Sequence, residues 1–163
     1  MDTNEALREH LIRALGWGEA HGGFDGAVEG IPPEHYGTQP EGLPYSAWQL
    51  VEHLRIAQRD LFDFCRDRAY TAPKWPDDYW PKTSAPPTDV AWAESLAAFR
   101  ADREALRQFV RDPAVDLFAD IPGWPGKTYL RTILLVVDHN AYHVGEFAIL
   151  RQVMNLWPKK RNR

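Results

Sequence analysis

Apolar residues recur along this chain at three- and four-residue intervals in four segments, and they alternate convincingly in none. That period predicts amphipathic helices rather than strands. The first runs from about Thr3 to Leu15, with Leu7, Leu11 and Leu15 every four residues, Ile12 alongside and Thr3 as its cap. "GWGEAHGG" breaks it, and "FDGAVEGI" resumes helix for about two turns. The second has the clearest start: Ser46 and Gln49 make a capping box, and the helix continues to about Ala69. Its inner stripe is Leu50, His53, Leu54, Ala57, Leu61 and Phe64, and Glu52, Arg55, Arg59, Asp63 and Arg66 face outward. The third begins near Thr88 or Asp89, carries Val90, Trp92, Leu96, Phe99, Leu106 and Val110 inward, and ends with help from Pro113. The fourth runs from about Thr128 to Leu156, where Pro158 stops it. It is the most apolar of the four and is expected to lie deepest.

Helices with long connections point to an all-α four-helix bundle, and 163 residues suit one domain spanning 1–163. "PPEHYGTQPEGLPY" and "YTAPKWPDDYWPKTSAPP" are Pro-rich loops, the second with three large rings in Trp75, Tyr79 and Trp80. A loop this long is either functional or hides an element. A formal charge of -4 argues against a nucleic-acid partner, and the basic "KKRNR" tail reads as a solvated chain end. Cys65, the one cysteine, rules out an intrachain disulfide and fits a reducing cytoplasm. Neither a signal peptide nor a membrane span is visible, so the expected location is cytoplasmic, with no membrane partner.

The chemistry concentrates in "DHNAYHVGE". His139 and His143 are one turn apart, so both rings leave one helix face and could close on one divalent metal. Alone, such a pair is a weak signal. Leu135, Tyr142, Glu146, Ile149 and Leu150 continue the face as an expected buried stripe, and His53 takes a core position on the second helix. A single core histidine is more often a hydrogen-bonded structural residue than a ligand. Three on converging inward faces favour a metal, provided the helices are neighbours. Three protein ligands also leave a position open for water or substrate. His10, His21 and His35 fall on a helix surface or in loops.

"LPYSAWQLVEHLRIAQRDL", followed far downstream by "VVDHNAYHVGEFAILRQ", resembles the DinB/YfiT-like superfamily of metal-dependent four-helix bundles over nearly the whole chain. The resemblance implies a variant up-and-down topology and a metal triad of His53, His139 and His143, with zinc or nickel as the ion. It implies an activity of the thiol-S-transferase or hydrolase type, with a low-molecular-weight thiol as co-substrate and a small-molecule substrate. Relatives often carry glutamine where this chain has Glu146. That carboxylate could approach the metal or a bound water as a catalytic group, or it could pair with a neighbouring arginine. The rival reading is a non-catalytic metal-binding or stress-associated bundle, assembled as a homodimer. Asp138 is either a hydrogen-bond partner of a histidine or a surface ion pair, and Tyr142 is more simply a core residue. Gly145 gives room for another helix to approach. Trp48 and Trp80 either wall the site or pin core and loops, and Cys65 reads as packing.

Overall fold

The computed structural model describes residues 2–16 and 20–157. It contains five helices: α1 (Thr3–Ala14), α2 (Phe24–Val28), α3 (Ala47–Arg66), α4 (Ala91–Arg111) and α5 (Tyr129–Val153). Among the described residues there is no strand, only one isolated bridge between Asp120 and Thr128. The fold is thus an all-α bundle in which α3 packs on α4 and α5, α1 on α4 and α5, and α2 on α5.

Most helix boundaries follow local chemistry. Ser46 Oγ accepts from the Gln49 amide and Gln49 Oε1 from the Ser46 amide, which is the expected capping box on α3. α1 is capped one residue earlier than expected, because Asp2 and Glu5 form a second reciprocal box and leave Thr3 inside the helix. α3 stops at Arg66 rather than Ala69, because the Asp67 carboxylate takes the Ala69 amide and turns the backbone out of helix. α2 is shorter than two turns, with Glu29 extended and Gly30 in the left-handed region at φ 67°. α5 ends at Val153 by a Schellman motif: Asn155 takes φ 55°, its amide bonds to the Gln152 carbonyl, and the Leu156 amide reaches the Arg151 carbonyl. The stop assigned to Pro158, the basic tail and part of the break after α1 lie outside the described residues.

The interior divides into two apolar clusters. One gathers Phe24, Trp48, Leu50, Trp92, Phe99 and Phe147 with their neighbours, and the other Leu11, Phe62, Leu106, Leu117, Ile133 and Val136. A polar belt falls where they meet. Gln58 donates to the Phe99 carbonyl, Asn140 donates to Gln58 Oε1, and His53, His139 and His143 complete the layer. Two buried arginines fasten the helix ends. Arg8 donates to the carbonyls of Val110, Asp112 and Val115, and Arg151 to those of Gly26, Ala27, Glu29 and Leu156.

The interior face of α5 is not the expected one. Thr132, Ile133, Val136, His143, Val144, Phe147, Leu150 and Arg151 are buried, whereas Leu135, Tyr142 and Ile149 are exposed. A helix apolar nearly all round gives periodicity little to choose a face with. On α3, likewise, the buried positions at the C-terminal end are Phe62 and Cys65 rather than Leu61 and Phe64. Val90 stays exposed just outside α4. No described helix is long and apolar enough to cross a membrane.

Candidate metal centre

α3 contributes His53 and α5 contributes His139 and His143, and packing of these two helices brings the three rings together. One ring nitrogen from each lies within 4.8 Å of the others. The Nε2 of His53 stands 3.0 Å from that of His143 and 3.1 Å from that of His139. His53 is 2% exposed and His143 7%, and His139 is half-buried.

The outward nitrogens decide what the inward ones can do. His53 Nδ1 lies 2.8 Å from the Tyr79 carbonyl oxygen, which can only accept, so Nδ1 carries the proton. His143 Nδ1 lies 2.6 Å from Glu146 Oε2, and beside an ionised carboxylate it too is the donor. In neutral rings both Nε2 atoms are then bare lone pairs, facing each other at 3.0 Å. His139 Nδ1 and Asn140 Oδ1 are buried without a hydrogen-bond partner.

A proton between the facing lone pairs would relieve their repulsion, but burial opposes it. Desolvation, followed by the neighbouring rings, pushes His139 and His143 down to about 4. His53 is lowered by burial as well, against the opposing effect of its bond to Tyr79. Burial raises Glu146, while the hydroxyls of Tyr45 and Tyr142 favour its ionised form.

These shifts make a pH prediction for chelator-treated protein. The unfolded chain protonates these histidines near 6.5 and the folded chain near 4, so between those values the unfolded state binds more protons. The contribution is complete above about 6.5 and is lost as pH falls toward 4. Urea unfolding at pH 7.5 and 5.5 should differ by about 2 kcal/mol. A His139→Asn/His143→Asn variant should flatten the dependence, and a flat wild-type profile would contradict it.

The long loop after α3 braces the centre. The hydroxyls of Tyr70 and Tyr79 both donate to Asp60, at 2.7 Å each, which pins the loop to α3. From there Tyr79 presents its carbonyl to His53, and the Trp80 indole stacks on the His53 ring at 4.0 Å, with the planes 3° apart. The loop hides no helix or strand; it orients a site residue. Sequence reasoning passed over Asp60, although it stands two turns beyond His53 on the same helix.

The other candidates separate cleanly. Glu146 lies on the far side of the His143 ring from Nε2 and pairs with no arginine among the described residues. Asp138 is exposed and makes no side-chain hydrogen bond or ion pair among the described residues. Tyr142 is exposed rather than in the core, its ring meeting His143 edge-on at 4.9 Å. Trp48 belongs to the apolar core. Cys65 is buried, and desolvation pushes its thiol up to about 12, so it is packing and no nucleophile. Among the described residues nothing outside its own helix comes within 4 Å of where a Gly145 Cβ would stand, and the space there is a cavity shared with Gly26, Ala27 and Trp157.

No curated protein and no solved structure is similar enough to this chain to count as a match. The sequence profile of one family does match, over residues 18–147, a span that contains α2 to α4, all three histidines and Glu146. With its all-helical architecture and its histidines meeting between α3 and α5, the chain belongs to the DinB superfamily.

Proposed function

We propose that His53, His139 and His143 hold a divalent metal ion, zinc or nickel, and that the chain is an enzyme of the thiol-S-transferase or hydrolase type. The observation that carries the metal is the pair of bare Nε2 lone pairs at 3.0 Å, each fixed by a committed Nδ1–H on the other side of its ring. Buried polar atoms need partners, and a cation satisfies all three nitrogens at once. Bound there, the ion would supply a Lewis acid able to lower the pKa of a thiol or a water. The chain's own residues do the rest. Tyr79 and Glu146 hold two of the rings in the ligating tautomer, and Trp80 keeps His53 from rotating. Elemental analysis of protein purified without a metal-affinity tag tests the metal: about one equivalent is expected, and only a trace would overturn it. Turnover of electrophilic acceptors by metal-loaded protein with low-molecular-weight thiols tests the activity.

Glu146 is, on this reading, a positioning residue rather than a catalytic one. Glu146→Gln keeps an acceptor beside His143 Nδ1 but removes the charge that makes the imidazole a stronger ligand. Metal affinity should fall about 10- to 100-fold, measured by competition with a chromophoric chelator. An unchanged affinity would release Glu146 from this role. The same placement favours a second reading, a non-catalytic metal-binding bundle, because among the described residues no carboxylate joins the three histidines on the Nε2 side to act as a base.

A further inference from the structure

Two of the three clustered rings have a partner on the side away from the others, and the third does not. His53 Nδ1 meets the Tyr79 carbonyl and His143 Nδ1 meets Glu146, whereas His139 Nδ1 is buried without a hydrogen bond. A second buried orphan belongs to the next residue, Asn140 Oδ1. Buried polar atoms without partners are uncommon, and two on consecutive residues beside the facing lone pairs point to one shared cause.

The direction of the Asn140 amide is set from α4. The Phe99 carbonyl can only accept, so the Gln58 side chain turns its Nε2 toward it, at 2.8 Å. Gln58 Oε1 then faces α5 and accepts from Asn140 Nδ2 at 3.0 Å. With its Nδ2 so engaged, Asn140 holds Oδ1 away from Gln58 as an acceptor in need of a donor. Gln58 is fully buried, so bulk water reaches neither end of this chain of amides through it.

We propose that Asn140 is a positioning residue for His139: its Oδ1 accepts the His139 Nδ1 proton, which leaves His139 Nε2 as the third bare lone pair of the cluster. The relay runs from the Phe99 carbonyl through Gln58 and Asn140 to His139, across α4, α3 and α5. One backbone carbonyl thereby selects the tautomer of a ring two side chains away. Its purpose rests on the metal reading above; the tautomer itself does not. The alternative puts the proton on Nε2, 3.1 Å from His53 Nε2. That choice makes His139 Nδ1 a second acceptor beside Asn140 Oδ1, leaves both unpaired and closes the ligating nitrogen. A proton on Nδ1 pairs both orphans at once. The two atoms fall short of hydrogen-bond geometry, yet the amide already favours the protonated ring. Rotation of the ring toward the amide completes the bond.

Two measurements test the relay. In metal-free protein at about pH 8, where neutral imidazoles dominate, long-range proton–nitrogen correlation spectra report the tautomer. The His139 proton should sit on Nδ1 in the wild type and in Asn140→Asp, and on Nε2 in Asn140→Leu. A wild-type proton on Nε2, or one tautomer in all three proteins, would overturn the assignment. Asn140→Asp, nearly the same shape as the wild type, keeps the comparison open if Asn140→Leu fails to fold. Zinc affinity, measured by competition with a chromophoric chelator, is the second readout. Asn140→Leu should lower it about 10- to 100-fold, and Asn140→Asp should retain it. Gln58→Leu frees the Asn140 amide to turn over, so it too should lower affinity. It should have no such effect in Asn140→Asp, whose carboxylate presents an oxygen to His139 whichever way it faces. Equal losses from Gln58→Leu in both backgrounds would reduce the glutamine to packing and sink the relay. Wild-type protein that binds no zinc while His139 keeps its proton on Nδ1 would overturn the metal reading and leave the relay standing.

Discussion

His143→Ala should abolish stoichiometric metal binding while leaving the metal-free protein about as stable as the wild type. The two halves of this expectation have different origins. Structural zinc sites contribute about 10–16 kcal/mol in binding, so each ligand carries roughly 3 kcal/mol, and losing one weakens affinity by at least about a hundredfold. The rise in Tm on adding metal, which follows from binding to the folded state alone, should shrink with it. In the metal-free protein, however, the His143 Nε2 faces a second bare nitrogen at 3.0 Å. Its removal relieves that repulsion, which offsets the packing lost with the ring. Differential scanning calorimetry with and without chelator separates the two effects. One full equivalent of metal in His143→Ala would sink the assignment, and a collapse of the metal-free protein would make the histidine a core residue first.

The largest expected loss of stability lies far from the histidine cluster. Arg151→Met should destabilise the protein by about 3–5 kcal/mol, the range for breaking a buried charged network. Arg151 is 1% exposed, and its guanidinium donates to four carbonyls between 2.7 and 3.2 Å and lies over the Trp157 ring at 4.4 Å. Methionine fills part of the volume and leaves the carbonyls of Gly26, Ala27, Glu29 and Leu156 without this partner. Urea unfolding monitored by circular dichroism should show a lower midpoint at an unchanged slope. A change under about 1 kcal/mol would mean that water replaces the arginine without cost.

What could be read from residues alone was what depends on short-range chemistry and spacing. Ser46 and Gln49 mark the start of α3 because the capping box lies within four residues. His53, His139 and His143 came together as candidates because helical period put each on an apolar stripe, and the family resemblance added the same three. The inward side of α5 was not readable, because Leu135, Tyr142 and Ile149 satisfy the same period as Val136, His143 and Phe147. Tertiary packing chose between the two faces. The brace on His53 was invisible for another reason: it joins Asp60 to Tyr79 and Tyr79 back to His53 across a loop with no regular period. Arg8 and Arg151 escaped notice because an arginine near a helix end usually faces water. Only the carbonyls around them, contributed by distant segments, show otherwise.

Those two arginines lie toward opposite apolar clusters, and the histidines lie where the clusters meet. The parts that secure this chain and the parts that could react are therefore different parts. A layer with this independence can change its own side chains while the frame around it stays put. A scaffold of this kind is free to diverge in chemistry faster than in shape.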